Sequence, residues 1–179
     1  MRDRFLGMSD REARLSIEAE LGRKLPDDLE TQMKRAVLER TAEDLQPIAH
    51  VGDAIDAIAL AECVASSGTP DKIRHGLTCA GLLDRLAPHL FSATQVSRGK
   101  PAPDLFLFAA GQMQVSPERC LVVEDSVPGI TGARAAGMTV LGFHGGSHCR
   151  PGYGATLLAA GAHHSFDDMR QLPALLAQI

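Results

Sequence analysis

The chain has 179 residues, with 18 Lys and Arg against 22 Asp and Glu, a net charge of -4, no Trp and one Tyr. That length holds one ordinary domain with a small appendage and excludes two large ones. The acidic balance gives no basic footprint for a nucleic-acid backbone or an acidic membrane surface, which leaves small-molecule chemistry as the expected trade.

The elements fall into two textures. Residues 9 to about 60 read as helical. Ser9 with Glu12 forms a capping-box signature ahead of Leu15, Ile17, Leu21 and Leu25. A second helix is predicted from Pro26 or Asp27 through Leu38, with Asp27, Asp28 and Glu30 near its positive end. A third apolar pattern runs through Ile48, Val51, Ile55, Ile58 and Leu60. From Glu62, short β-prone runs alternate with helical stretches. The predicted strands are Cys63–Ser66, Phe91–Gln95, Arg119–Glu124, Thr139–Phe143 and a weak His163–Phe166. The helices between them lie near Asp71–His75, Asp104–Met113, Pro128–Ala136 and Gly154–Ala160, with Gly137 placed as a helix-terminating glycine. This alternation is that of a parallel, doubly wound α/β sheet, in which ligands bind beyond the carboxyl ends of the strands.

No apolar run approaches the length of a membrane span, and the first residues are too charged for a signal peptide. Cys63, Cys79, Cys120 and Cys149 are widely spaced without a CxxC pair, so reduced thiols in a cytoplasmic protein are expected.

Three strand ends carry chemistry. Glu124 and Asp125 close one buried strand; adjacent carboxylates repel each other unless a cation or donors compensate them, and magnesium is the natural hard cation, with an acidic helix cap as the plainer alternative. In Arg98-Gly99-Lys100-Pro101-Ala102-Pro103-Asp104 the prolines stiffen the loop, so Lys100 is a fixed ammonium suited to a phosphoryl oxygen or a carboxylate, where a lone surface lysine would be solvated. Ser66, Ser67, Gly68 and Thr69 end another strand in hydroxyls and free N–H groups that can hold phosphate, or simply make a polar turn.

In combination, VASSGT, GKPAPDLF, LVVEDSVPGI and TGARAAGMTVLGF resemble the haloacid dehalogenase superfamily, in its phosphatase and beta-phosphoglucomutase-like branch. The resemblance implies a Rossmann-like parallel sheet with an N-terminal α-helical cap, residues 1–60 being an incomplete cap segment and residues 61–179 an incomplete core that lacks its central first strand. It implies that Ser66, assisted by Ser67, binds the transferring phosphoryl group of a small phosphorylated substrate. Lys100 would balance charge, Asp125 would coordinate magnesium, and Glu124 would support that coordination.

The family's first motif, an Asp-x-Asp whose first aspartate attacks phosphorus, does not occur in these residues. Asp53, Asp56 and Asp167-Asp168 do not follow an apolar strand ahead of the cap and cannot replace it. Lys100 and the metal only assist an attack, so little or no turnover is expected from the chain as it stands. The resemblance places the missing strand between those ending at Ser66 and Glu124. Unpaired buried peptide groups cost about 1 to 3 kcal/mol each. A truncated form is therefore expected, or edges that close on each other or on another chain, with self-association through them. In related mutases a basic residue follows a Gly-x-Ser turn in the cap. Here Gly7-Met8-Ser9 is followed by Asp10, which favours a phosphatase over a mutase. A dehalogenase is disfavoured because it needs no metal, and a non-catalytic phospho-ligand or partner-binding relative is the alternative from another class. His144, His148 and Cys149 lack a fourth ligand at zinc spacing and read as part of a glycine-rich loop.

Overall fold

The computed structural model describes residues 10–179. The expected Ser9–Glu12 capping contact and the Gly7-Met8-Ser9 turn lie outside the described residues.

Three helices open the chain, α1 (Asp10–Leu21), α2 (Leu29–Asp44) and α3 (Val51–Asp56). The second starts later than predicted and continues past Leu38, because Glu39, Thr41 and Glu43 keep helical geometry and Arg40 pairs with Asp44 one turn on. Then β1 (Val64–Ser66), α4 (Pro70–Cys79), α5 (Leu83–Leu86) and β2 (Leu90–Ser92) follow. After them come α6 (Asp104–Gln112), β3 (Leu121–Glu124), α7 (Val127–Ala135), β4 (Thr139–Phe143), α8 (Tyr153–Ala159), β5 (His164–Phe166) and α9 (Leu172–Leu176). The short α5 and α9 were not foreseen, being too brief to show a helical period.

Four predicted strands are shorter than expected; β1 and β5 each begin one residue late, at Val64 and His164. β2 stops at Ser92, not Gln95, because a capping box starts a 3-10 turn there. The Ser92 hydroxyl accepts the Thr94 amide while the Gln95 side chain accepts the Ser92 amide. β3 begins at Leu121, not Arg119, since Pro117–Arg119 forms another 3-10 turn. α7 runs as its sequence requires: Ser126 caps it, Pro128 occupies its first turn, and Gly137 beyond its end has a φ of +80°.

All strand pairs are parallel, but they form two sheets, β1–β2 and β3–β4–β5. Among the described residues β1 and β3 are not paired, so the expected option of these edges closing on each other is not what the chain does. The sheet divides where the resemblance puts a missing strand. One helical layer nevertheless covers both halves. Phe106 from α6, Ile130 and Ala133 from α7, Val140 from β4 and Leu157 from α8 form a core against which Ala65 of β1 and Val122 of β3 both pack. Full burial of an aliphatic side chain such as Ile130 or Leu157 contributes roughly 1.5 to 3 kcal/mol, so this layer holds the halves together without strand hydrogen bonds. On the opposite side Leu141, Phe143, Phe166, Met169 and Leu172 pack with Ala54 of α3. Among the described residues no helix is long and apolar enough to cross a membrane.

The divided sheet predicts a pattern of amide hydrogen exchange. β4, paired on both sides, should exchange slowest, and the open-side amides of β1 and β3 about 100-fold faster. Because the Val64 amide donates to the His89 carbonyl on the β2 side, the open-side amide of β1 is that of Ala65, and protection of it equal to that of Leu141 would show that the edge is covered in solution.

Candidate active site

The parallel registers align the strand ends, Ser66 beside Ser92 and Glu124 beside Gly142. Glu124 is the best anchored of these residues. It is 9% exposed, and its Oε2 accepts a 2.6 Å hydrogen bond from Lys100 Nζ, itself 7% exposed. Its Oε1 accepts from the Asp125 amide at 3.1 Å, the Ser126 amide at 3.0 Å and the Ser126 hydroxyl at 2.7 Å. Ser126 Oγ in turn accepts the Gly129 amide at 3.1 Å, which links the carboxylate to the N-terminal turn of α7. Burial by itself would raise the Glu124 carboxyl, but the Lys100 ammonium and these donors outweigh it and hold the group below its ordinary value.

Glycines and an aromatic ring make the pair fit. A Cβ on Gly129 would stand 2.0 Å from Glu124 Cδ, so any side chain there evicts the carboxylate. A Cβ on Gly132 would meet the Ala102 carbonyl at 3.0 Å and Phe106 Cε2 at 3.1 Å, which is how α7 lies close enough for the Lys100 loop to reach Glu124. Phe106 places its ring 5.0 Å below the Lys100 ammonium. Arg98 clamps the loop from outside through two bonds to Asp104 at the start of α6, at 3.1 and 2.8 Å.

Asp125 has a different environment. Burial, then the neighbouring Glu124 charge, push its carboxyl up to about 6, with His148 opposing. Its Oδ2 lies 3.1 Å from His148 Nε2. Both residues line a cavity of about 180 Å³ with Ile48, Val123, Glu124, Phe143, Gly146 and Met169.

Ser66 and Ser67 stand on the other sheet, outside that cavity. Ser66 Oγ accepts the Gly68 amide at 3.1 Å, and the Gly68 carbonyl accepts the Ser92 hydroxyl at 2.6 Å. Ser92 is 1% exposed and receives Thr94 as well, so it fixes the turn from behind. The Thr69 hydroxyl is buried at the same turn without a hydrogen-bond partner. The structure therefore joins Lys100, Glu124 and Asp125 directly, and leaves Ser66 and Ser67 across the divide between the sheets. Ser126, Phe106 and Ser92 were missed in the sequence, and His148 was read there only as part of a glycine-rich loop. Only Ser126 carried a signal there, as a serine three residues before Gly129 at a helix start.

Two measurements follow. Lys100→Met leaves Glu124 buried and unpaired and should lower stability by about 3 to 5 kcal/mol in urea denaturation, with much of the loss recovered by adding Glu124→Gln; a loss below about 1 kcal/mol would contradict the pairing. Asp125 has a folded-state value above its unfolded one, so its ionisation costs stability as pH rises from about 4 through about 6. Asp125→Asn removes that cost. Because the side chain is partly exposed and screened, the expected gain is about 1 kcal/mol at pH 8, shrinking towards pH 4.

The sequence model of the haloacid dehalogenase-like hydrolase family matches residues 60–137. The 6-phosphogluconate phosphatase of Escherichia coli (strain K12) is 35% identical over 108 residues, which cover 60% of this chain and 49% of that protein. The chain thus spans about half the length of this curated relative. A crystal structure of a haloacid dehalogenase-like protein of unknown function from Agrobacterium tumefaciens superposes with a TM-score of 0.82 at 39% identity, covering 98% of this chain and 80% of that one. A haloacid dehalogenase family hydrolase from Deinococcus radiodurans, with bound phosphate and sodium, has a TM-score of 0.73 at 28% identity, covering 97% and 77%.

Proposed function

Because this chain belongs to the haloacid dehalogenase-like hydrolases, we propose that its site serves a phosphatase of small phosphate monoesters, sugar phosphates among them, in a cytoplasmic setting. The observation that carries this is the buried Lys100–Glu124 pair seated on the first turn of α7, with Asp125 left open to the cavity beside it. The pair is neutral as a whole, so the Asp125 carboxylate is the charge that faces the cavity and calls for a cation there.

The residues present fit magnesium. Two adjacent carboxylates, one raised to about 6 by burial and then by the other, are relieved by a divalent cation. Among the described residues no group of three His, Cys, Asp or Glu could hold a metal, and magnesium is the ion that is held through one or two carboxylates with water and substrate phosphate completing the shell. Asp125 would hold it. Glu124, whose oxygens are taken by Lys100, Ser126 and the Asp125 amide, would act by fixing the Asp125 backbone. When bound, the ion would neutralise phosphoryl charge.

Lys100 orients the acidic centre and presents its remaining N–H bonds to a phosphoryl oxygen. Ser66 and Ser67 supply hydroxyl and backbone donors from the β1 turn, which Ser92 keeps in place. The helical segment up to about Pro47 would act as the cap that excludes water, whereas α3 packs on the core through Ala54. The Escherichia coli relative is a 6-phosphogluconate phosphatase, which makes that compound one member of the test panel.

No Asp-x-Asp occurs in these residues, so the chain alone is proposed to bind phosphate without turning it over. The division between β1 and β3 favours a second reading, in which these open edges pair with a further strand or a second copy.

Calorimetric titration with inorganic phosphate in magnesium checks the first reading. Binding should weaken about fivefold in Ser66→Ala, the effect of one lost hydrogen bond. Release of phosphate from small monoesters should stay at background. Turnover that survives Asp125→Asn, or absence of any phosphate binding, would overturn it.

A further inference from the structure

Asp125 is not left bare. His148 Nε2 lies 3.1 Å from its Oδ2 and 3.4 Å from Cys149 Sγ. The Glu124 side chain cannot stand in for this contact, because Lys100, Ser126 and the Asp125 amide already occupy both of its oxygens. Asp125 therefore presents the carboxylate that still faces the cavity, and the imidazole that meets it lines the same cavity.

The histidine is held by its loop. Residues 144–152 contain no helix or strand, and a Cβ on Gly146 would stand 2.7 Å from His148 Cε1, so the ring rests over a glycine that leaves it space. The Cys149 amide donates to the Gly146 carbonyl at 2.9 Å and closes the turn under the ring. On its other side Gly145 lies against the Asp167 carbonyl, where a Cβ would come within 2.0 Å, so the loop backbone is fixed to the residue after β5. The backbone is held while the imidazole is held by the Asp125 contact and a weak sulfur contact. Rotation of one side chain is enough to release it.

We propose that His148 is a placeholder for the cation: its Nε2–H occupies the Asp125 oxygen that a divalent ion must take, and ion and imidazole exclude each other there. This rests on the assignment of Asp125 as the metal ligand. The physical basis is that the Asp125 charge lies beside a second carboxylate in a partly closed site, and a positive or donor group facing it lowers the cost of that repulsion. The imidazole serves before the ion arrives and turns off Asp125 afterwards, within the cavity it already lines. The loop thereby lowers the apparent affinity for the metal by the strength of one partly exposed pair, a factor of about two to five.

The experiment uses the 179-residue chain and magnesium alone. Titration calorimetry should give a dissociation constant about twofold to fivefold smaller for His148→Ala than for the unsubstituted chain. His148→Gln, which keeps an N–H donor, should fall between them. In proton–carbon spectra the ring signals of His148, assigned by their loss in His148→Ala, should shift as magnesium saturates the unsubstituted chain. Equal or weaker binding by His148→Ala, or ring signals that stay fixed while magnesium binds, would overturn the placeholder. Asp125→Asn separates the two claims. If it abolishes binding while His148→Ala changes nothing, the metal site stands and the placeholder falls. If Asp125→Asn binds like the unsubstituted chain, or if neither that chain nor His148→Ala binds magnesium, both fall.

Discussion

The 2.6 Å bond between Lys100 and Glu124, with both side chains almost fully buried, is the constraint from which the site is built. An ionised carboxylate or ammonium withdrawn from water is tolerated only when its partner and its hydrogen bonds are all in place. Each neighbouring feature answers that demand. Gly129 leaves room for the carboxylate, Ser126 hands it a hydroxyl and an amide, Gly132 lets α7 approach the Lys100 loop, and Phe106 offers its ring face to the ammonium. The loop prolines and the Arg98–Asp104 clamp keep the lysine from withdrawing to solvent.

That arrangement determines the electrostatics of Asp125. Satisfying Glu124 so completely keeps it charged, and a charged Glu124 is a standing repulsion for the next carboxylate. Asp125 is therefore the poorly compensated group at the cavity, while its neighbour in sequence is among the best compensated. Two adjacent acids acquire opposite characters because one points into a network of donors and the other into a cavity lined largely by apolar groups and an imidazole. The same division of labour supports the proposal of a cation at Asp125 and of His148 as its occupant beforehand.

The division of the sheet is the second governing fact. Strand hydrogen bonds do not join β1 to β3 among the described residues, yet Ala65 and Val122 pack on one core. Apolar burial is non-directional and tolerates a gap between backbones; hydrogen bonding is directional and does not. So the helical layer keeps the Ser66 half and the acidic half in one body, while Ser66 and Asp125 belong to different sheets. Ser92 extends this logic to β1: among the described residues β1 pairs with β2 alone, and the Gly68 turn is held by a hydroxyl from β2.

Much of this was legible in the residue order. Alternation of short β-prone runs with helical stretches specified a parallel α/β body, since both strand and helix periods are local properties. Lys100 was marked by its place between Gly99 and Pro101, Glu124 and Asp125 by theirs at a strand end, and Gly137 by its place after a helix. Strand ends at Ser92 and Leu121 were less legible, because a capping box and a 3-10 turn compete with extension through side-chain contacts that β-propensity does not weigh. What only the tertiary structure decided is which groups meet: that Glu124 spends its oxygens on Lys100 and Ser126, that His148, 23 residues from Asp125 along the chain, lies against its carboxylate, and that β1 and β3 stay apart. The reason is physical: a sequence states which donors, charges and apolar faces exist, whereas their pairing depends on distances set by helix packing across the whole core.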